Sequence, residues 1–284
     1  MENNVIKNRY DFVYLFDVKD GNPNGDPDQA NLPRVDPENQ EGLVTDVCIK
    51  RKVRNYVQIK HNLEKPFDVF IRQGNVLNVL IDGAEGDTPQ KRQNNLCEDF
   101  FDVRTFGAVM STGDKGAGTV RGPVQFTFSR SMDRVYQAEH SITRLCVATE
   151  KEAKAQEKRE NASTFGRKAT VPYALYRMHG FISVIDAQKS GFTEEDLKLL
   201  WEALQNAFEH DRAAARGEMN FRKLLVFKHD SHLGNARSGV LFDLVQINKI
   251  DENKPPRNFT DYKITTKKEI EGKLPDGVEL IELV

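Results

Sequence analysis

The sequence predicts an α+β fold built on a ferredoxin-like core of order β-α-β-β-α-β. Two observations carry this reading. Segments 45–60 and 193–216 carry apolar stripes at helical spacing, and runs at 10–18, 124–129, 178–187 and 221–228 have strand-like composition. Taken in chain order, these six elements alternate as that core requires.

Tyr10 to Val18 (YDFVYLFDV) is rich in aromatic and β-branched residues and reads as a buried strand. The Gly-, Pro-, Asn- and Asp-rich stretch 20–41 cannot hold regular structure. Thr45 is the expected N-cap of the first helix, whose Ile49, Val53, Tyr56 and Val57 share a face. VLNVLI (76–81) reads as a strand and 88–101 as a helix with a polar start. VQFTFS (124–129) alternates. The stretch 130–172 has no steady hydrophobic period and holds the charged run KEAKAQEKRE (151–160), so it is expected to project from the core. MHGFISVIDA (178–187) is read as a strand. The 193–216 helix has a Thr193/Asp196 capping-box variant, a stripe of Leu197, Leu200, Trp201, Leu204 and Phe208, and Gly217 as C-cap. FRKLLVFK (221–228) is the next strand, and 241–247 and 278–284 are further candidates. No internal repeat is present. The chain thus reads as one palm domain over 1–284 with three insertions: a loop at 19–44, a finger subdomain at 61–123 and a projection at 130–177.

Composition narrows the function. With 41 Lys+Arg against 43 Asp+Glu, overall charge cannot coat a nucleic acid, although a local basic groove can. A mean hydropathy of −0.60 and the lack of a long apolar run argue against a membrane span. The polar start, Met1 to Asn8, lacks a secretory signature, so a cytoplasmic location is expected. Cys48, Cys97 and Cys146 are scattered, which fits reduced thiols and gives no zinc pattern.

Several motifs come close to known chemistry and stop short. DGNPNGD (20–26) imitates the start of a calcium loop, but Asn31 stands where the bidentate Glu is required. Met110 to Gly122 (MSTGDKGAGTVRG) fails both the phosphate-loop and the dinucleotide patterns. It is either a flexible hairpin tip or a loop passing close to a phosphate chain, with Lys115 and Arg121 supplying charge. Lys50, Arg51 and Arg54, with Lys52 and Lys60 nearby, suggest a cationic helix face that would neutralise phosphates without reading bases. The pair in HDSH (229–232) lacks the spacing of a helical zinc site and is expected at the surface. No metal, cofactor or catalytic constellation is read. His140 alone could serve a metal-independent RNA cleavage as acid or base, and the sequence supplies no partner for it.

Eight strings then occur together in order: FDVKDGNPNGDP (16–27), LVTDVCIKRKVRNY (43–56), DVRTFGAV (102–109), RGPVQFTFSRS (121–131), HSITR (140–144), GRKATVPYALYRMHGFIS (166–183), EHDRAAARGEM (209–219) and FKHDSHLGNA (227–236). Jointly they resemble the seventh CRISPR-associated family, the backbone subunit of the type I-C (Dvulg subtype) Cascade complex. The resemblance implies an RRM-like palm with fingers and a thumb, and copies stacked head to tail along a CRISPR RNA. Target DNA would be read by pairing with that guide. It implies contacts with the handle-binding (fifth-family), large and small Cascade subunits. It maps the RNA-contacting helix onto Lys50, Arg51 and Arg54, the Gly-rich loop onto Gly113 to Gly122, and the thumb onto 130–175 with His140, Thr143, Arg144, Arg167 and Lys168. Subunits of the related type III branch cleave RNA with a loop aspartate, for which Asp26 or Asp28 would be the nearest position. The resemblance is to the type I branch, so the chain is expected not to be an enzyme.

Overall fold

The computed structural model describes residues 4–144, 146–156 and 164–284. β1 (Tyr10–Gly21) is followed by the short β2 (Gly25–Asp26) and β3 (Leu32–Pro33), then by β4 (Glu41–Val44). α1 (Asp46–His61) begins where Thr45 Oγ1 accepts the Cys48 amide at 3.3 Å. The region between α1 and β7, expected as the finger region and called so below, holds α2 (Leu77–Gly83), α3 (Pro89–Asp99), α4 (Phe101–Phe106) and a hairpin of β5 (Gly107–Met110) and β6 (Gly118–Arg121). Next come β7 (Val124–Phe126), β8 (Ser129–Arg134), β9 (Ala138–Arg144), α5 (Glu150–Gln156) and the long β10 (Thr164–Ile182). After them lie α6 (Val184–Ser190), α7 (Glu194–Gln205), β11 (Glu218–His229), α8 (Ser238–Asp243), β12 (Ile247–Lys249), β13 (Tyr262–Ile264), α9 (Lys267–Glu271) and β14 (Val278–Leu283).

The main sheet runs β14-β11-β1-β10-β8-β4, with β7 also on β10. Its ladders are antiparallel. β1 sits at the centre and is buried on both faces. Phe12, Tyr14, Phe16 and Val18 face a core completed by α1 and α7, while Val13 and Leu15 face a second core capped by α8, Tyr262, Ile270 and Leu280. Gly180, beside β1, has no Cβ because one there would lie 1.9 Å from the Phe12 ring. The C-terminal part of β10 pairs with β1, whereas its first seven residues pair with β9 and leave the sheet as a two-stranded ribbon. α5 covers the first part of the charged run, and residues 157–160 of that run lie outside the described residues.

The finger region packs its own small core of Phe70, Ile81, Leu96, Phe100, Val103 and Met110. Two buried charges of α4 tie it to α1 and α7, which cover one face of the main sheet. Asp102 (1 % exposed) accepts Arg54 Nε at 2.7 Å and the Phe70 and Ile71 amides at 2.7 and 3.0 Å. Arg104 grips Asp196 at 2.7–3.0 Å and donates to Pro66 O at 2.6 Å. Asp196 also receives the Thr193 amide and hydroxyl, so the expected capping box doubles as an anchor.

Several expected elements differ. The 76–81 run is helical α2, since a short apolar run does not distinguish helix from strand. The 178–187 strand stops at Ile182, because Ser183 caps α6 by accepting the Asp186 amide at 3.3 Å. α7 ends at Gln205 rather than 216. Gly217 instead lets the chain pass Lys19 and Asp20, whose carbonyl oxygens would lie 2.5 Å from a Cβ there, at φ +61. The 241–247 stretch is the end of α8 and a turn, with only Ile247 in a strand. Residues 171–177, placed in the projection by sequence, belong to the central sheet. His229 is not at the surface. It is fully buried, its Nδ1 accepts the Asn235 amide, and Nε2–H therefore donates to Asp11 at 2.9 Å.

Two expectations follow. Asp102→Ala leaves Arg54 buried without its counter-ion and two amides unsatisfied, and should cost about 3–5 kcal/mol in urea unfolding; a loss below ~1 kcal/mol would show that the anchor is dispensable. His179 accepts Arg177 Nε at 2.9 Å and stacks on Phe242. Burial and the Arg177 charge push its pKa down from 6.5 to about 4. The unfolded chain therefore binds this proton over a range in which the folded chain does not. Stability should be complete above about pH 6.5 and fall towards pH 4, by on the order of 2 kcal/mol from this residue. His179→Gln, which keeps an acceptor, should flatten the denaturation midpoint across that window.

Candidate nucleic-acid interface

The cationic face expected on α1 is mostly turned inward. Arg54 is 7 % exposed and is committed to Asp102, and Lys52 is buried against Asp211. The cause is helix geometry: Arg54 lies three residues before Val57, and Lys50 three before Val53, so both border the buried face. Lys50 is half-buried, bonds Asp46 at 2.9 Å and lies over the Phe106 and Phe126 rings at 5.6 and 6.0 Å. Arg51 is exposed and reaches Ile71 O of the finger region at 3.1 Å. Of Lys50, Arg51 and Arg54, the three residues expected to contact RNA, Arg51 alone is exposed.

The Gly-rich loop is the tip of the β5–β6 hairpin. Gly113, Gly116 and Gly118 all have positive φ there. The tip is held from beneath. Buried Arg92 donates to the carbonyls of Gly86 and Gly116 at 2.8–3.0 Å and also bonds Lys115 O. Asp82 accepts the Lys115 amide at 3.0 Å. The Lys115 side chain is thus exposed on an ordered turn. Arg121, at the foot of the hairpin, is exposed and approaches Asp186 of α6 at 3.5 Å. Nothing in the sequence pattern marked Arg92 as the support of this loop.

The remaining candidates sit on the ribbon, and pairing divides them. His140 is opposite Lys168, and Thr143 is opposite Phe165. Alternation puts His140 and Lys168 on one face, where His140 Nε2 meets Thr170 Oγ1 at 3.1 Å. Thr143 and Arg167 lie on the other face, where Glu139 is 3.9 Å from Arg167. The Arg144 backbone pairs with Thr164, and its side chain lies outside the described residues.

The calcium-like loop is committed to structure. Asn24 Oδ1 accepts the Thr45 amide and hydroxyl at 3.0 and 3.1 Å, which fixes the start of α1. Asp26 accepts the Asp28 amide and pairs with Arg34 at 3.3 Å. Among the described residues, no group of three or more His, Cys, Asp or Glu is placed to hold a metal ion, and no helix is long and apolar enough to cross a membrane.

Comparison with known proteins agrees with this architecture. A curated relative from Haloferax volcanii, "CRISPR-associated protein Cas7", is 23 % identical over 310 residues, covering 98 % of this chain and 86 % of the relative. A chain of the solved structure "CRISPR RNA-guided surveillance complex, pre-nicking" superposes with a TM-score of 0.50 at 12 % identity, covering 77 % of this chain and 78 % of that one, which speaks to the fold. The family model "CRISPR-associated protein Cas7" matches residues 8–267, nearly the whole chain. With its large antiparallel sheet, finger region and projecting ribbon, the chain belongs to the Cas7 family of CRISPR-associated proteins.

Proposed function

We propose that this chain is a non-catalytic, RNA-binding backbone subunit of a type I-C Cascade complex, assembling head to tail along a CRISPR RNA in the cytoplasm. The family match over residues 8–267 carries the reading. The strand order β11-β1-β10-β7, with α1 and α7 on one face, is the order a ferredoxin-like, RRM-like palm requires, and supports that description. The finger region and the ribbon are two arms that could grip a chain lying between copies. Target DNA would pair with the guide, and the fifth-family, large and small subunits would complete the assembly.

Within this reading, phosphate contacts fall to Arg51, Lys115 and Arg121, with Lys50 at the margin and Arg54 serving the palm instead. On the ribbon, the face bearing His140 and Lys168 suits phosphates better than the Arg167 face, where Glu139 adds an opposing charge. His140 is held by the Thr170 hydroxyl, a poor partner for proton transfer, so the cleavage reading is not favoured.

A nuclease-protection assay on long single-stranded RNA tests the proposal. Protected fragments should lengthen in regular steps, and RNA should stay intact before nuclease is added, with or without chelator. Cleavage that disappears in His140→Ala would establish the enzymatic alternative. Lys115→Glu with Arg121→Glu should weaken RNA binding equally across sequences and reduce the salt slope by roughly 0.7 per lost contact; unchanged affinity in the folded variant would remove the hairpin from the interface. Lys168→Glu should weaken binding more than Arg167→Glu does, and the reverse order would reassign the RNA-facing side of the ribbon.

A further inference from the structure

On the sheet face opposite α1 and α7, a cleft of about 80 Å³ lies between the base of the ribbon and the 255–257 turn. Tyr136, Tyr173 and Tyr262 line it, together with Pro172, Pro255 and Pro256, and Arg134 and Arg257 stand at its edge. Tyr173 and Tyr262 are buried and form the floor. Tyr136 is 74 % exposed, an unusual position for an aromatic ring.

Two hydrogen bonds fasten the chain on either side of Tyr136. The Val135 amide donates to Gln40 O at 2.9 Å, and Gln137 Nε2 donates to Pro33 O at 2.5 Å. Its neighbours are thereby fastened to the 33–40 loop, and Val135 packs into the core shared with α1. Tyr136, in the link between β8 and β9, lines the other side, over the tyrosine-lined floor. The charge around it is mixed, but its carboxylates are engaged: Asp261 accepts the Arg257 and Asn258 amides at 2.7 and 2.9 Å. Asp133, the cleft's carboxylate, is already taken by Lys249 at 3.2 Å and by the Tyr262 hydroxyl at 2.6 Å. The Arg134 and Arg257 guanidinium groups are exposed and form no ion pair among the described residues.

We propose that this cleft is a second nucleic-acid contact, in which one unpaired base of a single-stranded polynucleotide stacks on Tyr136 while its flanking phosphates meet Arg134 and Arg257. An aromatic ring with guanidinium groups at its edge is the sequence-tolerant arrangement that single strands use. The cleft is too small for a whole nucleotide, so it takes only the edge of the base, and the exposed ring face supplies the platform. Two exposed guanidinium groups that form no ion pair favour a polyanion over a protein surface, which would bring carboxylates only at chosen points. The proposal rests on reading the chain as a nucleic-acid binder, but uses a surface separate from the α1 and finger-hairpin cations.

The test is photocrosslinking of the full chain to 4-thiouridine-substituted single-stranded RNA and, in a parallel arm, to bromodeoxyuridine-substituted single-stranded DNA. Crosslinked peptides are mapped by mass spectrometry, and affinities are measured for Tyr136→Ala, Tyr136→Phe and Arg134→Gln with Arg257→Gln. The expected result is a crosslink at Tyr136, about tenfold weaker binding in Tyr136→Ala, near-full rescue in Tyr136→Phe, and a shallower salt slope in the double arginine variant. The arm that crosslinks identifies the strand. Wild-type affinity in Tyr136→Ala, or crosslinks confined to the finger hairpin and ribbon faces, overturns the cleft and leaves the proposed function standing. Loss of self-association in Tyr136→Ala with unchanged affinity for a short oligonucleotide makes the cleft a protein contact and also overturns it. Failure of the wild type to bind either strand removes both readings.

Discussion

The structure depends on α4, a six-residue helix whose side chains are all buried and which carries opposite charges two positions apart. Asp102 reaches α1 through Arg54, and Arg104 reaches the N-terminus of α7 through Asp196. α1 and α7 are the helices that cover one face of the central sheet, so a single turn of finger helix registers both against the same element. Neither pair need add net stability over an apolar equivalent, because desolvating two charges offsets most of their attraction. What they impose is position. A carboxylate that accepts one guanidinium and two amides has few alternative arrangements, and the arginine opposite is equally committed to carbonyls of the 66–98 segment. The finger region therefore cannot slide over α1 and α7 without exposing or orphaning buried charge.

That constraint explains what was legible in the sequence. β1, α1, the start of α7 and β11 announce themselves locally, through aromatic runs, apolar spacing and the Thr45 and Thr193 caps, and they occur where expected. The errors arise where tertiary packing decides. VLNVLI satisfies helix and strand alike over six residues, and only Ile81 of α2 is buried. The 206–217 stretch keeps its helix-forming composition, yet Asp211 is drawn to Lys52 and the Ala215 carbonyl to the Asn22 amide, so the chain follows the β1 loop instead. At the candidate interface, residue type was visible and commitment was not. Arg54, Lys52, Arg92 and Arg104 look like surface cations in a string of letters. Each is itself buried and bonded to a group distant in sequence, and composition cannot reveal that a cation is already used.

The two arms are attached by different physics. The finger region has its own small core and is held by polar anchors. The ribbon shares a strand with the main sheet: β10 is nineteen residues long, about 60 Å when extended. Its C-terminal two-thirds lies between β1 and the strands β7 and β8, and its first seven residues pair with β9. Those seven residues extend roughly 20 Å beyond the sheet on a backbone continuous with the most buried part of the molecule.

A protein that grips a flexible polymer at regular intervals needs a spacing set by its own frame, since the polymer supplies none. Here one arm is fixed by ion pairs that tolerate no displacement, and the other is an extension of a strand that cannot shift register without turning its buried side chains to solvent. The separation between the arms is thus a property of the folded core rather than of the loops that touch a ligand. The nearly balanced charge is consistent with this division of labour. Positive charge spent on Asp102, Asp196 and Asp211 builds the frame. Among the proposed contacts, the exposed Arg51, Lys115 and Arg121 and the half-buried Lys168 stand at a few places where a phosphate chain could meet them, so binding would depend on where those cations are held more than on how many there are.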